Sequence, residues 1–80
     1  MDNNFVVFFI NSEGKKFFVR SQGAALLFSS EINYGMYRYE AEKIYKKLKI
    51  LIPNYKIVLC ELLFKNDNTY SINIIDCVNV

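Results

Sequence analysis

The first third of the chain has the pattern of three short strands. Phe5–Ile10 is apolar at every position, which is typical of a strand covered on both faces. After a polar turn, in which Gly14 can take a left-handed conformation, Lys16–Arg20 predicts a second strand. Gly23 ends that strand, and Ala25–Phe28 predicts a short third one.

From about Tyr37 the hydrophobic period changes from that of a strand to that of a helix. The apolar positions fall on one helical face: Tyr37, Ala41, Ile44, Tyr45, Leu48 and Leu51. The opposite face is charged: Glu42, Lys43, Lys46, Lys47 and Lys49. Pro53 ends the helix at or before Ile52, because proline disfavours helical geometry in the residue that precedes it. No Ser, Thr, Asp or Asn stands just before Arg38 to cap the helix start.

The last third predicts a β-hairpin. Lys56–Phe64 and Thr69–Val78 are the two strands, and Lys65–Asn68 forms the loop. If the hairpin closes directly across this loop, Glu61 lies opposite Ile72. The apolar side chains expected on that same side are Leu59, Leu63, Tyr70 and Ile74. A carboxylate in such a place needs an edge position or a lysine partner.

The same register places the two cysteines apart. Cys60 is expected opposite Asn73, and Cys77 opposite Lys56. This separates the thiols by about 13 Å at the rise of a strand, which is too far for a disulfide. We therefore expect two free structural cysteines in a reducing cytoplasm.

Together these elements predict one domain, residues 1–80, of the α+β class. Its order is β-β-(β)-α-β-β, an antiparallel sheet of four to five strands with one amphipathic helix on one face. The arrangement, with a helix that opens Glu40-Ala41-Glu42-Lys43, resembles small phage and mobile-element proteins of hairpin-helix-hairpin pattern. The resemblance implies a gene context and assigns no functional residue.

Composition agrees with that context and narrows the chemistry. Ile, Asn, Lys, Tyr and Phe, whose codons are rich in A and T, make up 39 of 80 residues. The chain has no His, so it lacks the Ser-His-Asp and Cys-His pairs of nucleophilic catalysis. It also lacks a phosphate-binding glycine loop and the ligand pattern of a zinc site. We expect no enzyme activity, no cofactor and no metal.

The composition likewise predicts a cytoplasmic protein without a membrane segment. No apolar stretch reaches the roughly 18–20 residues of a membrane span. No positively charged leader precedes Phe5–Ile10, which is too short for the apolar part of a signal peptide.

Basic and aromatic side chains are the best candidates for binding a partner. They form two groups, which are the segment Tyr34, Tyr37, Arg38 and Tyr39 and the first-hairpin cations Lys15, Lys16 and Arg20. Tyr and Arg are enriched at the energetic centres of protein interfaces. The same types also bind phosphate and stack on bases. A third interpretation is structural, with Tyr37 packed in the core.

Self-association is expected as well. One helix covers one face of the sheet, yet Phe5–Ile10 is apolar on both faces. On the uncovered side we expect an apolar surface that includes Val58, Leu62, Phe64 and Ile75. Exposed patches of this kind mark interfaces, and symmetric dimers are the commonest outcome.

The sequence thus predicts a small inhibitor, encoded by a phage or mobile element, that binds a host defence or regulatory protein. The alternative is a protein that binds or sequesters a nucleotide or nucleic acid through its Arg, Lys and Tyr side chains. The net charge of +2 is modest for a dedicated nucleic-acid domain.

Overall fold

The computed structural model describes residues 4–32, 35–65 and 69–79. In these ranges the elements are β1 (Phe5–Ile10), β2 (Lys16–Gln22), β3 (Ala25–Ser29), α1 (Arg38–Leu51), β4 (Lys56–Phe64) and β5 (Tyr70–Val78). The predicted α+β class is confirmed. The strands β1 and β4 have the predicted bounds, whereas β2 continues past Arg20 to the turn at Gly23.

The sheet has the order β3-β2-β1-β4-β5, and every neighbouring pair is antiparallel. β1 is the central strand, hydrogen-bonded to β2 on one side and to β4 on the other. This position explains why Phe5–Ile10 is apolar throughout, since both of its faces contribute to a core.

The β1–β2 turn depends on a glycine and an asparagine. Gly14 has a φ of +81°, a conformation that glycine adopts without steric cost. Its N–H donates to the Asn11 carbonyl at 2.9 Å. The Asn11 side-chain oxygen accepts the N–H groups of Glu13 at 3.0 Å and Lys15 at 2.9 Å. The turn therefore satisfies its own backbone and fixes the register of β1 with β2.

The helix packs across one face of the sheet with four buried residues, Ala41, Ile44, Tyr45 and Leu48. They contact a cluster of strand residues that includes Val7, Phe9, Ile57 and Leu59. The helical face expected from the sequence extends beyond the buried part of the helix at both ends. Tyr37 is 38% exposed and Leu51 is 61% exposed. Tyr37 stands at the N-cap, where its N–H donates to the Glu40 carboxylate at 3.4 Å, which is the contact that the acidic residue of a capping box makes.

The face opposite the helix has a second apolar core. Its buried members are Val6, Phe8, Val58, Cys60 and Leu62. Ile32, in the connection after β3, packs against this cluster. Farther along, Met36 pairs with Phe5 through N–H···O bonds of 3.0 and 2.8 Å and joins the helix-side core. The connection thus contributes to both cores.

This second core corrects the expected self-association surface. Val58 is 2% exposed and Leu62 is 1% exposed, so one chain already buries them. Ile75 packs against the helix-side cluster, on the other face of the sheet. Of the four expected residues, Phe64 is the one that is largely exposed.

The register of the last hairpin differs from the expected one by one residue. Phe64 pairs with Tyr70, and Glu61 therefore lies opposite Asn73 rather than Ile72. A one-residue shift moves every side chain of a strand to the other face. Tyr70, Ile72 and Ile74 consequently lie opposite the helix, away from Leu59 and Leu63. A bulge follows, in which Ile75 has no partner between the pairs Cys60–Ile74 and Leu59–Asp76.

Candidate binding surfaces

The expected contact residues do not form one site. Tyr37, Arg38 and Tyr39 lie at the helix start, beside the Phe5 end of β1. Lys16 pairs with Ile10 at the opposite end of that strand, about 16 Å away at the rise of a strand. Arg20 lies on β2 opposite Leu27. Tyr34 lies outside the described residues.

We call Tyr37, Arg38 and Tyr39 the helix-start surface. The two tyrosine rings stack with centres 5.9 Å apart and planes inclined by 11°. Tyr39 is 66% exposed. The Arg38 Nε donates to Glu42 Oε2 at 3.2 Å, and the Arg38 guanidinium carbon lies 5.8 Å from the centre of the Phe5 ring. Two contacts therefore orient Arg38 beside a pair of aromatic faces.

The first-hairpin lysines have a different environment. The Lys15 ammonium lies 5.4 Å from the centre of the Phe17 ring, and the Lys16 ammonium lies 4.6 Å from that of Phe8. These are cation–π contacts within the sheet. Lys15 and Lys16 thus cover aromatic rings of β1 and β2 rather than extend the helix-start surface.

A cleft adjoins Tyr39, between α1 and the β2–β3 turn. Its volume is about 300 Å³, and it is lined by Ser21, Gly23, Leu26, Tyr39, Glu40, Lys43, Ile44 and Lys47. Lys43 and Lys47 are four residues apart, so they share one side of the helix, and both line the cleft. From the sequence these lysines are part of a solvated helix face. The spacing of Lys43 and Lys47 indicates that they share one side of the helix, but the β2–β3 turn that completes the cleft is distant in sequence.

An apolar patch lies on the last hairpin, opposite the helix. Its members are Phe64, Tyr70, Ile72 and Ile74, which are 42–62% exposed. The Phe64 and Tyr70 rings meet edge to face with centres 6.1 Å apart. We call these four residues the hairpin patch. The expected register hid it, because that register assigned Tyr70 and Ile74 to the helix side.

The two cysteines are free and lie on one face of the sheet. Cys60 pairs with Ile74 and Cys77 pairs with Val58, in place of the expected partners Asn73 and Lys56. Burial raises the pKa of the Cys60 thiol from 9.0 to about 11, with the Lys16 ammonium acting in the opposite direction. Cys60 is therefore a neutral core side chain rather than a nucleophile.

Tyr45 and Asp76 meet on the helix side of the sheet. Burial, followed by the nearby Asp76 carboxylate, raises the pKa of Tyr45 from 10.0 to about 12. The Lys49 ammonium lies 4.8 Å from the centre of the Tyr45 ring. Glu61 is half-buried between Phe5 and Asn73. Tyr45 and Lys49 lie about two and three turns along α1 from Arg38, whereas Asp76 and Glu61 lie on β5 and β4.

Comparison with known proteins adds no relative, since no family model, curated protein or solved structure matches the chain. Within the described ranges, no helix is both long and apolar enough to cross a membrane.

Proposed function

We propose that this protein is a small non-catalytic binding protein. In this proposal a phage or mobile element encodes it, and it inhibits a host defence or regulatory protein in the host cytoplasm. The observation that supports this best is the helix-start surface, with its stacked, exposed tyrosines and an oriented arginine. The AT-rich coding bias and the resemblance to mobile-element proteins support the gene context.

The helix-start surface has the physical properties of an interface centre. Tyr and Arg contribute most of the binding energy at many interfaces. Immobilising a flexible side chain on binding costs about 0.5–1.5 kcal/mol. Arg38 is already held by Glu42 and Phe5, and the two tyrosine rings hold each other. The surface therefore loses less conformational freedom than isolated side chains would.

The charges around this surface indicate the chemistry of the partner. The helix carries the cations Arg38, Lys43, Lys46, Lys47 and Lys49 but the carboxylates Glu40 and Glu42 alone. A complementary surface is therefore acidic, with an apolar centre that accepts Tyr39. We propose an acidic protein surface as the target.

The test begins with capture of partners from native host cells and their identification by mass spectrometry. Each captured protein is then purified, and its affinity is measured by calorimetry. The double variant Arg38→Ala, Tyr39→Ala should bind the target at least tenfold more weakly. The matched control Lys15→Ala, Lys16→Ala, at the far end of β1, should bind within about twofold of the wild type.

Two outcomes would contradict the proposal. One is an unchanged affinity in the Arg38, Tyr39 variant. The other is an equal loss in the control variant, because the effect would then not be specific to the helix start. Both variants alter exposed side chains, so circular dichroism should show an intact fold.

A second function is favoured by the cleft beside Tyr39. Lys43, Lys47 and Ser21 line it, which suits a phosphate-bearing ligand whose base stacks on Tyr39. Binding of ribonucleoside mono- and triphosphates would then weaken with salt and in Lys47→Gln, a variant that leaves the helix-start surface unchanged. If no nucleotide binds at low salt, this alternative is wrong.

We also propose that the protein functions as a homodimer. A single helix covers one face of a five-stranded sheet, and the hairpin patch stays exposed on the other. Small domains commonly complete their apolar surface by association with a second copy.

A further inference from the structure

The strand β5 forms one edge of the sheet and presents unpaired backbone groups there. The Leu62 N–H donates to the Asn4 carbonyl at 2.8 Å, on the β1 side of β4. In an antiparallel ladder, the N–H and C=O of a residue point to the same side. Leu62 and its partner Ile72 therefore form a non-hydrogen-bonded pair, and Ile72 directs its N–H and C=O to the open edge.

The same alternation applies along the part of β5 that precedes the bulge at Ile75. The Lys65 N–H donates to the Thr69 carbonyl at 2.9 Å, so that pair is hydrogen-bonded and the next one, Phe64–Tyr70, is not. Tyr70 and Ile74 consequently direct their backbone groups outward, as Ile72 does. Among the hydrogen bonds of the described residues outside the strand ladders, none involves Tyr70, Ile72 or Ile74.

The protein protects the C-terminal end of this edge. Beyond the bulge at Ile75, the Cys77 N–H donates to the Asp76 carboxylate at 2.9 Å. A bulge and a charge are the usual devices that prevent edge pairing. Residues 70–75 carry no charge, no Pro and no Gly. The other edge strand, β3, has only five residues, and the Phe28 ring packs against Phe9 at 5.6 Å.

We propose that β5 pairs antiparallel with β5 of a second copy, about a two-fold axis at Ile72. The sheets of the two chains then form one continuous sheet. The inference deepens the proposed homodimer and rests on it, and it assigns the contact to an edge rather than to the buried residues Val58 and Leu62.

The backbone selects this register. Only outward-facing residues can form the hydrogen-bonded pairs, so Tyr70, Ile72 and Ile74 must face one another across the axis. An axis at Ile72 pairs Ile72 with itself and Tyr70 with Ile74 of the second copy, and it uses all three residues. An axis at Ser71 or Asn73 leaves Ile74 or Tyr70 without such a partner. The favoured register also creates aromatic–β-branched pairs on the face of the hairpin patch.

A second copy fits this edge better than a charged partner. An aromatic side chain carries about 150–250 Å², so the exposed fractions of Phe64 and Tyr70 leave about 160–270 Å² uncovered. Ile72 and Ile74 bring the patch to several hundred Å². Pairing of the two edges places the patches side by side and buries the sides of Tyr70, Ile72 and Ile74 that face the axis. The absence of charge over residues 70–75 removes any self-repulsion.

The test measures self-association by sedimentation equilibrium over the micromolar range. The wild type should show a reversible dimer of the 9.4 kDa chain. Ile72→Lys should raise the dimer dissociation constant at least a hundredfold, because it places two like charges opposite each other on the axis. Ile74→Lys should raise it at least tenfold, because a charge replaces the apolar contact with Tyr70 of the second copy. The matched control is Ile50→Lys, which adds the same charge at an isoleucine that is 80% exposed on the helix. Its dimer dissociation constant should stay within threefold of that of the wild type.

Disulfide trapping then checks the register. In a Cys77→Ser background, single cysteines are introduced as Ser71→Cys, Ile72→Cys and Asn73→Cys. The residue on the axis lies about 5.5 Å from its own copy between Cα atoms, within the range of a disulfide. We expect Ile72→Cys to form a covalent dimer fastest. Faster trapping by either neighbour would overturn the axis at Ile72.

Three further outcomes separate the possible failures. A single species of 9.4 kDa throughout overturns both the dimer and the edge pairing, and it leaves the helix-start test of target binding intact. A dimer that resists both lysine variants overturns the edge pairing alone. A monomer that loses its target in Ile74→Lys but not in Ile50→Lys overturns the pairing as well, because the edge would then bind a strand of the target.

Discussion

Two adjacent leucines on β4 give the most direct test of the second core. Leu62 is 1% exposed and belongs to the cluster opposite the helix, whereas Leu63 faces the other way and is 45% exposed. We expect Leu62→Ala to destabilise the fold strongly and Leu63→Ala to have little effect. Because both changes are Leu to Ala in one strand, differences in intrinsic strand preference largely cancel.

The expected magnitude follows from burial. Truncating a fully buried Leu removes its transfer free energy and leaves a cavity, at a cost of about 2–5 kcal/mol. For Leu63 about half of the side chain is already in water, so the loss is about 1 kcal/mol without a cavity. The two variants should therefore differ by about 1–4 kcal/mol in the free energy of unfolding. For a domain of this size, 1 kcal/mol corresponds to about 4–8 °C in Tm.

Urea denaturation followed by circular dichroism measures this difference, with thermal melting as a second readout. Working at the lowest usable protein concentration limits any contribution from the proposed dimer. Equal destabilisation by the two variants, or a larger loss in Leu63→Ala, would refute the second core. The face opposite the helix would then be open, and the original expectation that Leu62 lies in a seam between chains would regain support.

Two further substitutions test local features by urea denaturation. Burial raises the pKa of Cys60 from 9.0 to about 11, so between these pH values the folded state retains a proton that the unfolded state loses. The stability that this burial contributes is therefore full below pH 9 and is lost as pH rises through 11. The wild type should lose about 1 kcal/mol per pH unit in that window relative to Cys60→Val, and parallel pH curves would contradict the assignment. Gly14→Ala should cost about 1–2 kcal/mol, because φ is +81° although nothing lies within 4 Å of an added Cβ. Gly14→Asn should cost less, since Asn tolerates this conformation, and equal losses would indicate a different cause.

The sequence predicts the elements well, because the decisive signals are local. The run of Phe5–Ile10, the glycine of the first turn and the helical period before Pro53 each act over a few residues. The ends of the helix were less predictable. Tyr37 and Leu51 fit the apolar period, but both lie beyond the part of the helix that packs on the sheet.

The helix-start surface was predictable because its signal is also local, whereas the cleft was not. Tyr37, Arg38 and Tyr39 are adjacent in sequence, so their grouping survives in the structure. Lys15 and Lys16 have suitable chemistry, but the length of β1 separates them from the helix start. The cleft beside Tyr39 depends on the β2–β3 turn, which lies more than ten residues before Tyr39 in sequence. A hydrophobic period of 2 or 3.6 predicts strands and helices but not the contact between this turn and α1.

The bulge at Ile75 shows why the last hairpin was the hardest part to predict. Counting alternate residues assumes that each residue of β5 has one partner, and Ile75 has none. The extra residue lets neighbouring isoleucines serve opposite faces, with Ile74 on the hairpin patch and Ile75 against the helix-side core. It also places the Cys77 N–H within hydrogen-bonding distance of the Asp76 carboxylate, so that this N–H is not available to another strand. One inserted residue therefore determines both which side chains are exposed and how much of the edge can pair with another strand.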